Sequence, residues 1–254
     1  MKINIRYSGS SVDSVMAVTS KYPRDEFQSP ERSTVPSLAF WMDTAERVID
    51  LSARLHVAIP DECTVEFEYQ VVPPAGKGKQ SHTDVMLWWE STCVGVEVKY
   101  TEPPYEAVSK WLRRGSNQSN RLKVLGGWCD LIGTVTGTPC SPASLEKETY
   151  QMVHRIASVC SRPERKKHVL YQVFNPKPEV IAYYRQELSR LKQVLSIGSA
   201  IGLHIAAVPI QSLPIHRALV SEWKKTGESC ATEVISGLVT RDLMSFGQMQ
   251  FETI

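Results

Sequence analysis

No stretch of this 254-residue chain approaches the roughly 18 uncharged apolar residues that a membrane span needs. The opening Met1-Lys-Ile-Asn-Ile-Arg-Tyr7 lacks the apolar run of a secretory leader. The six cysteines (Cys63, Cys93, Cys129, Cys140, Cys160 and Cys230) form no Cys-x-x-Cys pair, and their gaps do not match iron–sulfur spacing. Scattered thiols without a leader fit a reducing cytoplasm, so neither a disulfide framework nor a membrane partner is expected. Also missing are a Gly-rich phosphate loop, a Gly-x-Ser-x-Gly elbow and a His-Glu-x-x-His pair, which argues against three common classes of hydrolase and transferase. Charge of one sign is scarce: 29 basic side chains face 27 acidic ones, a formal net charge of +2. Attraction to a polyanion therefore has to come from local patches. There is no internal repeat and no low-complexity tract.

What is present is an ordinary soluble composition, 42% hydrophobic and 22% charged, sized for one domain or one core with an appended region. Residues 1–34 are polar, carry Pro23 and Pro30, and read as an arm or a short strand. Pro36 opens a predicted helix to about Leu55, with Leu38, Trp41, Ala45, Val48, Ile49 and Leu55 at helical spacing. Cys63–Val72 alternates with period two, as a strand does. Two further strand-like runs follow the loop Pro73–Ser81, namely Thr83–Trp89 and Cys93–Tyr100. Residues 104–128 read as two helical pieces, and Gly126-Gly127 with the run to Pro142 as a long connection. Then come a helix at about Leu145–Cys160, a strand Lys167–Phe174, a helix Pro178–Leu195 and an apolar strand Ala200–Pro209. Helices over about 214–225 and 231–244 close the order. The expected fold is a mixed α/β sheet with helices on both faces, its core over 35–212 and a helical extension over 213–254.

Asp84, Glu97 and Lys99 carry the chemistry. Alternation puts Glu97 and Lys99 on one face of their strand and Val94, Val96 and Val98 on the other. If the two strands pair as a hairpin, Asp84 falls near the Glu97 end of its neighbour. Two carboxylates and an ammonium at the edge of a buried sheet are costly unless something balances them. A hard divalent cation does so, because it takes oxygen ligands, commonly one or two carboxylates with water and substrate phosphate. Asp84, Glu97 and the main-chain carbonyl of Val98 supply such a shell for magnesium, with manganese as a substitute. Lys99 beside it is placed to orient or deprotonate water, and burial with a bound metal lowers its pKa. Metal activation of water with in-line displacement is the logic of phosphodiester hydrolysis. By itself, Glu-x-Lys is a common triplet and more often an ordinary cross-strand ion pair on a solvated face.

The segments His82-Thr-Asp-Val85 and Gly95-Val-Glu-Val-Lys-Tyr-Thr-Glu-Pro103 resemble the PD-(D/E)XK nuclease superfamily, near a group of uncharacterised bacterial restriction-endonuclease-like proteins. The order of elements over about 37–210 agrees with that likeness, although its specific part is only the run from Asp84 to Glu102. Thr83 stands where the superfamily's name has proline. The resemblance implies a restriction-endonuclease-like sheet flanked by helices. It also implies magnesium-dependent endonucleolytic cleavage of DNA in restriction or anti-phage defence, with Asp84 and Glu97 as metal ligands and Lys99 as catalytic lysine. A homodimer or a place among defence-complex subunits fits the same likeness. A non-cleaving nucleic-acid-binding subunit of a defence or transposition complex is the alternative.

Superfamily members often add a carboxylate from the first helix or strand, which here favours Glu68 over Glu46. They also often place a glutamine or a basic side chain beside the scissile phosphate. On the predicted helix at 145–160, Gln151, His154, Arg155 and Ser158 form one polar stripe, so Gln151 and Arg155 are the candidates. Three basic patches are candidate backbone contacts: Lys77 and Lys79; Arg113, Arg114, Arg121 and Lys123; and the run from Arg162 to His168.

Overall fold

The computed structural model describes residues 1–114 and 116–254. The chain begins with strands β1 (Lys2–Tyr7) and β2 (Ser10–Val12), then helices α1 (Val15–Thr19), α2 (Thr34–Trp41) and α3 (Thr44–Arg54). Strands β3 (Glu62–Val71), β4 (Ser81–Trp89) and β5 (Thr92–Lys99) follow, then helices α4 (Val108–Arg113), α5 (Gln118–Thr136) and α6 (Tyr150–Cys160). Next come β6 (Lys166–Phe174), α7 (Pro178–Val194), β7 (Ile201–Val208) and β8 (Ile210–Ser212). Helices α8 (Pro214–Thr226) and α9 (Ala231–Thr240) and strands β9 (Met244–Phe246) and β10 (Gln250–Thr253) complete the chain.

Eight strands form one mixed sheet in the order β10-β7-β6-β5-β4-β3-β1-β2. The β3–β4 and β4–β5 pairs are antiparallel, whereas β5–β6, β6–β7 and β1–β3 are parallel. Val65, Phe67, Val85, Leu87, Val94, Val96 and Val98 pack on one face against α1, α2, α3 and α9. Met86, Cys93, Val169, Tyr171 and Val173 pack on the other against α5, α6 and α7. This is the mixed α/β architecture expected from the order of elements. Among the described residues, no helix is long and apolar enough to cross a membrane.

One alternative is settled and four expectations need correction. Residues 1–34 hold the short strand of the two alternatives and not a free arm: β1 pairs with β3 inside the sheet, and Val15, Val18 and Phe27 are buried in the same core. Likewise, residues 213–254 are not purely helical, since β10 extends the sheet along β7. The helix expected from Pro36 to Leu55 breaks at Met42-Asp43, because the backbone of Asp43 is not helical and the Thr44 hydroxyl takes the Trp41 carbonyl. Finally, Gly126 and Gly127 lie within the 19-residue α5 instead of a connection. A side chain at Gly127 would stand 2.8 Å from the Ala75 nitrogen, so the glycine lets the 73–80 loop lie against the helix. The helix foreseen from Leu145 starts at Tyr150, after a 3-10 turn at Pro142–Leu145.

Candidate active site

Glu68, Asp84 and Glu97 are register neighbours on three adjacent strands. Phe67 pairs with Val85 and Tyr69 with Thr83, which sets Glu68 across from Asp84. Val85 pairs with Val96, which brings Asp84 level with Glu97. Both ladders break at this point, and Glu68 is in the left-handed region (φ 52°). The strand alternation changes phase there as well. Phe67 and Val85 face α2 and α3, yet Tyr69 packs on the α5–α6 side and Ser81 bonds to α6. Where β4 and β5 part, the Asp84 Oδ2 accepts the Val98 N–H at 2.6 Å, standing in for a ladder bond. Close approach of α6 to β5 is set by Gly95, since a Cβ there would stand 2.7 Å from the Val159 Cγ1.

Glu97 and Lys99 project toward α6, as the alternation of β5 requires. Glu97 is 2% exposed, Lys99 9% and Arg155 7%. Lys99 Nζ donates to Glu97 Oε1 at 2.8 Å, and Arg155 Nε donates to Glu97 Oε2. Arg155 Nη1 also donates to Ser81 Oγ at 3.0 Å and faces His154 Nδ1 at 3.1 Å. Arg155, foreseen beside a scissile phosphate, is thus a buried partner of Glu97. The polar stripe of α6 turns inward to meet β4 and β5.

The charges do not balance evenly. Burial, then the negative charge of Glu97, pushes the Asp84 carboxyl well above its ordinary range, with Arg155 only partly offsetting this. Burial works to raise the Glu97 carboxyl too, but Arg155 and Lys99 outweigh it and hold Glu97 below the usual range. Burial works to lower the Lys99 ammonium, yet Glu97 and Asp84 outweigh it and keep Lys99 above its usual value. The expectation of a lowered Lys99 pKa therefore reverses in the protein alone, and Lys99 is a cation here. His154 is pushed well below its usual value by burial and then by Arg155, so its ring is neutral.

Glu68 joins the cluster from β3. Its Oε2 lies 3.1 Å from His82 Nδ1, and it neighbours Tyr22 of the N-terminal segment, a proximity that local sequence gave no sign of. Burial raises its carboxyl, and its charge adds to the pressure on Asp84. Glu46, the weaker alternative, is 72% exposed in its side chain and pairs with Arg47. Glu102 anchors the end of β5, accepting the Tyr100 N–H at 3.0 Å and the Ser33 N–H at 2.9 Å.

The donor set fits a hard divalent cation. Asp84 Oδ1 takes no hydrogen bond from any described residue, and the repulsion between Asp84 and Glu97 is what a cation relieves. The buried hydroxyls of Thr83, beside Asp84, and of Tyr171, level with Glu97 in the next strand, have no partner among the described residues. Oxygen-only donors suit magnesium or manganese better than zinc. No cluster of three or more His, Cys, Asp or Glu placed to hold a metal occurs among the described residues, so two carboxylates and main-chain oxygen such as that of Val98 would hold it.

The foreseen nucleic-acid contacts divide. Lys77 and Lys79 are exposed and line a cleft of about 600 Å³ that also reaches Gln151, His154 and Arg155. Arg113 and Arg114 are exposed away from that cleft, Arg113 bonded to the Ser109 carbonyl and Arg114 to Glu106. In the run from Arg162, Arg165 and Lys166 are exposed and two other cations are structural. Arg162 stacks 4.1 Å over the Trp88 ring and pairs with Glu164, while Lys167 is buried on main-chain carbonyls. Missed from sequence were Arg155 as the counter-charge of Glu97, and Ser81, His82 and Tyr22 as supports. The polar Ser81-His82 run beside Asp84 was the available signal for two of them.

Neither the curated proteins nor the solved structures contain a match to this chain. One family model does match, over residues 11–228, and that span holds the whole site. The chain belongs to the family described as a domain of unknown function, DUF6946.

Proposed function

We propose that this protein is a magnesium-dependent nuclease of the PD-(D/E)XK kind that hydrolyses DNA phosphodiester bonds in restriction or other anti-phage defence. The observation that carries the reading is the meeting of Asp84 and Glu97 on neighbouring strands with Lys99 two residues on. All three gather where the β4–β5 ladder opens. An acid pair that strains against itself in a buried place is poor structure and good cation chemistry. The likeness of the Asp84–Glu102 segment to that superfamily supports the same reading.

Asp84 and Glu97 would hold the cation, with the Val98 carbonyl beside them. A bound divalent cation supplies Lewis-acid polarisation of the phosphodiester and a lowered pKa for water. Lys99 enters as a charged donor, placed to steady the phosphoryl oxygens as negative charge builds. Arg155 is a positioning residue that fixes the Glu97 carboxylate. Glu68 and Gln151 flank the centre, the first adding negative charge and the second an amide from α6.

A second reading, a non-cleaving nucleic-acid-binding subunit, draws support from one feature. Both Glu97 oxygens are already engaged, by Lys99 and by Arg155. One experiment separates the two. Plasmid, linear and single-stranded DNA are incubated with the protein and magnesium or manganese, beside Asp84→Ala, Glu97→Ala and Lys99→Ala. The nuclease reading expects metal-dependent cleavage that EDTA abolishes and that falls by at least about a hundredfold in each variant. Full cleavage by Lys99→Ala would overturn the mechanism. Salt-sensitive DNA binding with no cleavage under either metal would favour the second reading.

A further inference from the structure

Beside the carboxylates lies the 600 Å³ cleft, entered between the 77–80 loop, the first turns of α5 and the start of α6. It is continuous with the site, because Ser81, His82 and Arg155 belong to both. Among the described residues no carboxylate lines it, whereas Lys77, Lys79, Arg121 and Arg155 do. Its walls are aromatic. Trp111 and Tyr150 stack at 3.8 Å and 11°, with the Arg121 guanidinium over Trp111 and Tyr105 53% exposed at the mouth. Asn120 clamps the loop to α5, its Oδ1 accepting the Lys77 N–H at 2.7 Å and its amide donating to the Lys77 carbonyl.

One polar side chain deep in this cleft is left open to a ligand. Gln151 is only 9% exposed, and its side-chain amide makes no hydrogen bond to any described residue. Its neighbours on the same helix face, His154 and Arg155, are both bonded. The Gln151 amide still reaches the cleft, so a ligand there can take the place of water on it.

We propose that this cleft is a pocket for an unpaired nucleotide of the DNA strand, holding its base against Tyr105 at the rim of the aromatic wall and its phosphate beside Lys77 and Lys79, with Gln151 reading a polar edge. A duplex face does not need such a wall, because stacked and paired bases hide the ring faces that aromatic side chains meet. The volume suits one compact ligand and is too small for a double helix. Lys77 and Lys79, exposed and without an acid partner among the described residues, meet the phosphates, and an amide such as that of Gln151 pairs with the donors and acceptors on a base edge. The ligand's identity rests on the nuclease reading, and the protein would then act on DNA with a single-stranded or flipped-out nucleotide.

The test is kept apart from cleavage. Fluorescence anisotropy in EDTA compares a labelled single strand of about ten nucleotides with its blunt duplex, on the wild-type protein, Tyr105→Ala and Lys79→Ala. Both substituted residues are exposed, and circular dichroism checks that the variants stay folded. The single strand is expected to bind roughly tenfold or more tighter than the duplex, and Tyr105→Ala to lose on the order of tenfold for the single strand. Lys79→Ala should weaken binding and flatten its salt dependence. Equal affinity for the two DNA forms would overturn the pocket, as would single-strand affinity within about twofold of wild type in both variants. If single strands bind as expected and no substrate is ever cut, the nuclease reading fails alone. If duplex is cut with no preference for unpaired DNA in the binding assay, the pocket fails alone.

Discussion

Replacing Arg155 with methionine isolates the charge balance on which the site depends. The guanidinium is 7% exposed and bonds Glu97, Ser81 and the neighbourhood of His154 Nδ1. Methionine keeps part of the volume and removes every donor. Glu97, 2% exposed, is then left with Lys99 as its only ion-pair partner among the described residues, and Asp84 loses the cation that relieves it most. Breaking a buried pair by removing one partner costs about 3–5 kcal/mol, far more than the 0–1 kcal/mol of a surface pair. For a domain of this size, that is a fall in Tm of roughly 10 °C. Urea denaturation in EDTA reads it directly, with an unchanged slope showing that the transition is otherwise the same. Arg155→Met combined with Glu97→Met should recover most of the loss, because the uncompensated charge is gone. Magnesium should then raise the midpoint of the single variant more than that of the wild type, since a cation takes over the lost counter-charge. A single variant within about 1 kcal/mol of wild type would refute the reasoning, as would a double variant no more stable than the single.

Two other expectations follow from the fold. Gly95→Ala places a methyl 2.7 Å from Val159 Cγ1 and should cost about 1–3 kcal/mol in thermal or urea unfolding. Val159→Ala in the same chain should return part of that cost; no recovery would mean that α6 does not approach β5 there. His168 and His204 lie 3.0 Å apart, and burial lowers them to about 4 and about 3. Their folded values lie below the unfolded one, so the unfolded chain binds more protons in that window and stability falls as pH drops through 6.5 toward 4. From pH 7 to pH 5 each histidine should remove up to roughly 2 kcal/mol. Urea midpoints across that range check this, and a His204→Leu chain that loses as much stability as wild type would count against it.

The sequence made the centre of the fold legible because β4 and β5 are joined by a tight turn and alternate cleanly around it. Val94, Val96 and Val98 against Glu97 and Lys99 is a local pattern, and local patterns survive folding. Asp84 was placed correctly near Glu97, but the strand changes phase at that residue, which no period-two count contains. What was missed is non-local. β1 meets β3 across some sixty residues, and Ile3 and Ile5 alone do not announce a sheet neighbour. Tyr22 reaching Glu68 and Arg155 reaching Glu97 are likewise tertiary contacts. Gly126-Gly127 misled for the opposite reason. Glycine weakens a helix locally, yet the 73–80 loop needs the space that Gly127 leaves. The charged run after Arg162 looked like a surface patch, although Trp88, Glu164 and main-chain carbonyls consume Arg162 and Lys167 and leave only Arg165 and Lys166 exposed.

The strands that end the large sheet bear on assembly. One margin is β2, three residues with Ser10 and Ser11 in it; the other is β10, four residues, with Glu252 tied to Arg185. Short, polar and ion-paired margins discourage another chain from adding a strand of its own. Two copies of this protein would therefore meet through helices or loops instead of by growing a continuous sheet. On the proposed nuclease function, the distance between the two Asp84–Glu97 centres of such a pair would then be set by how those surfaces dock.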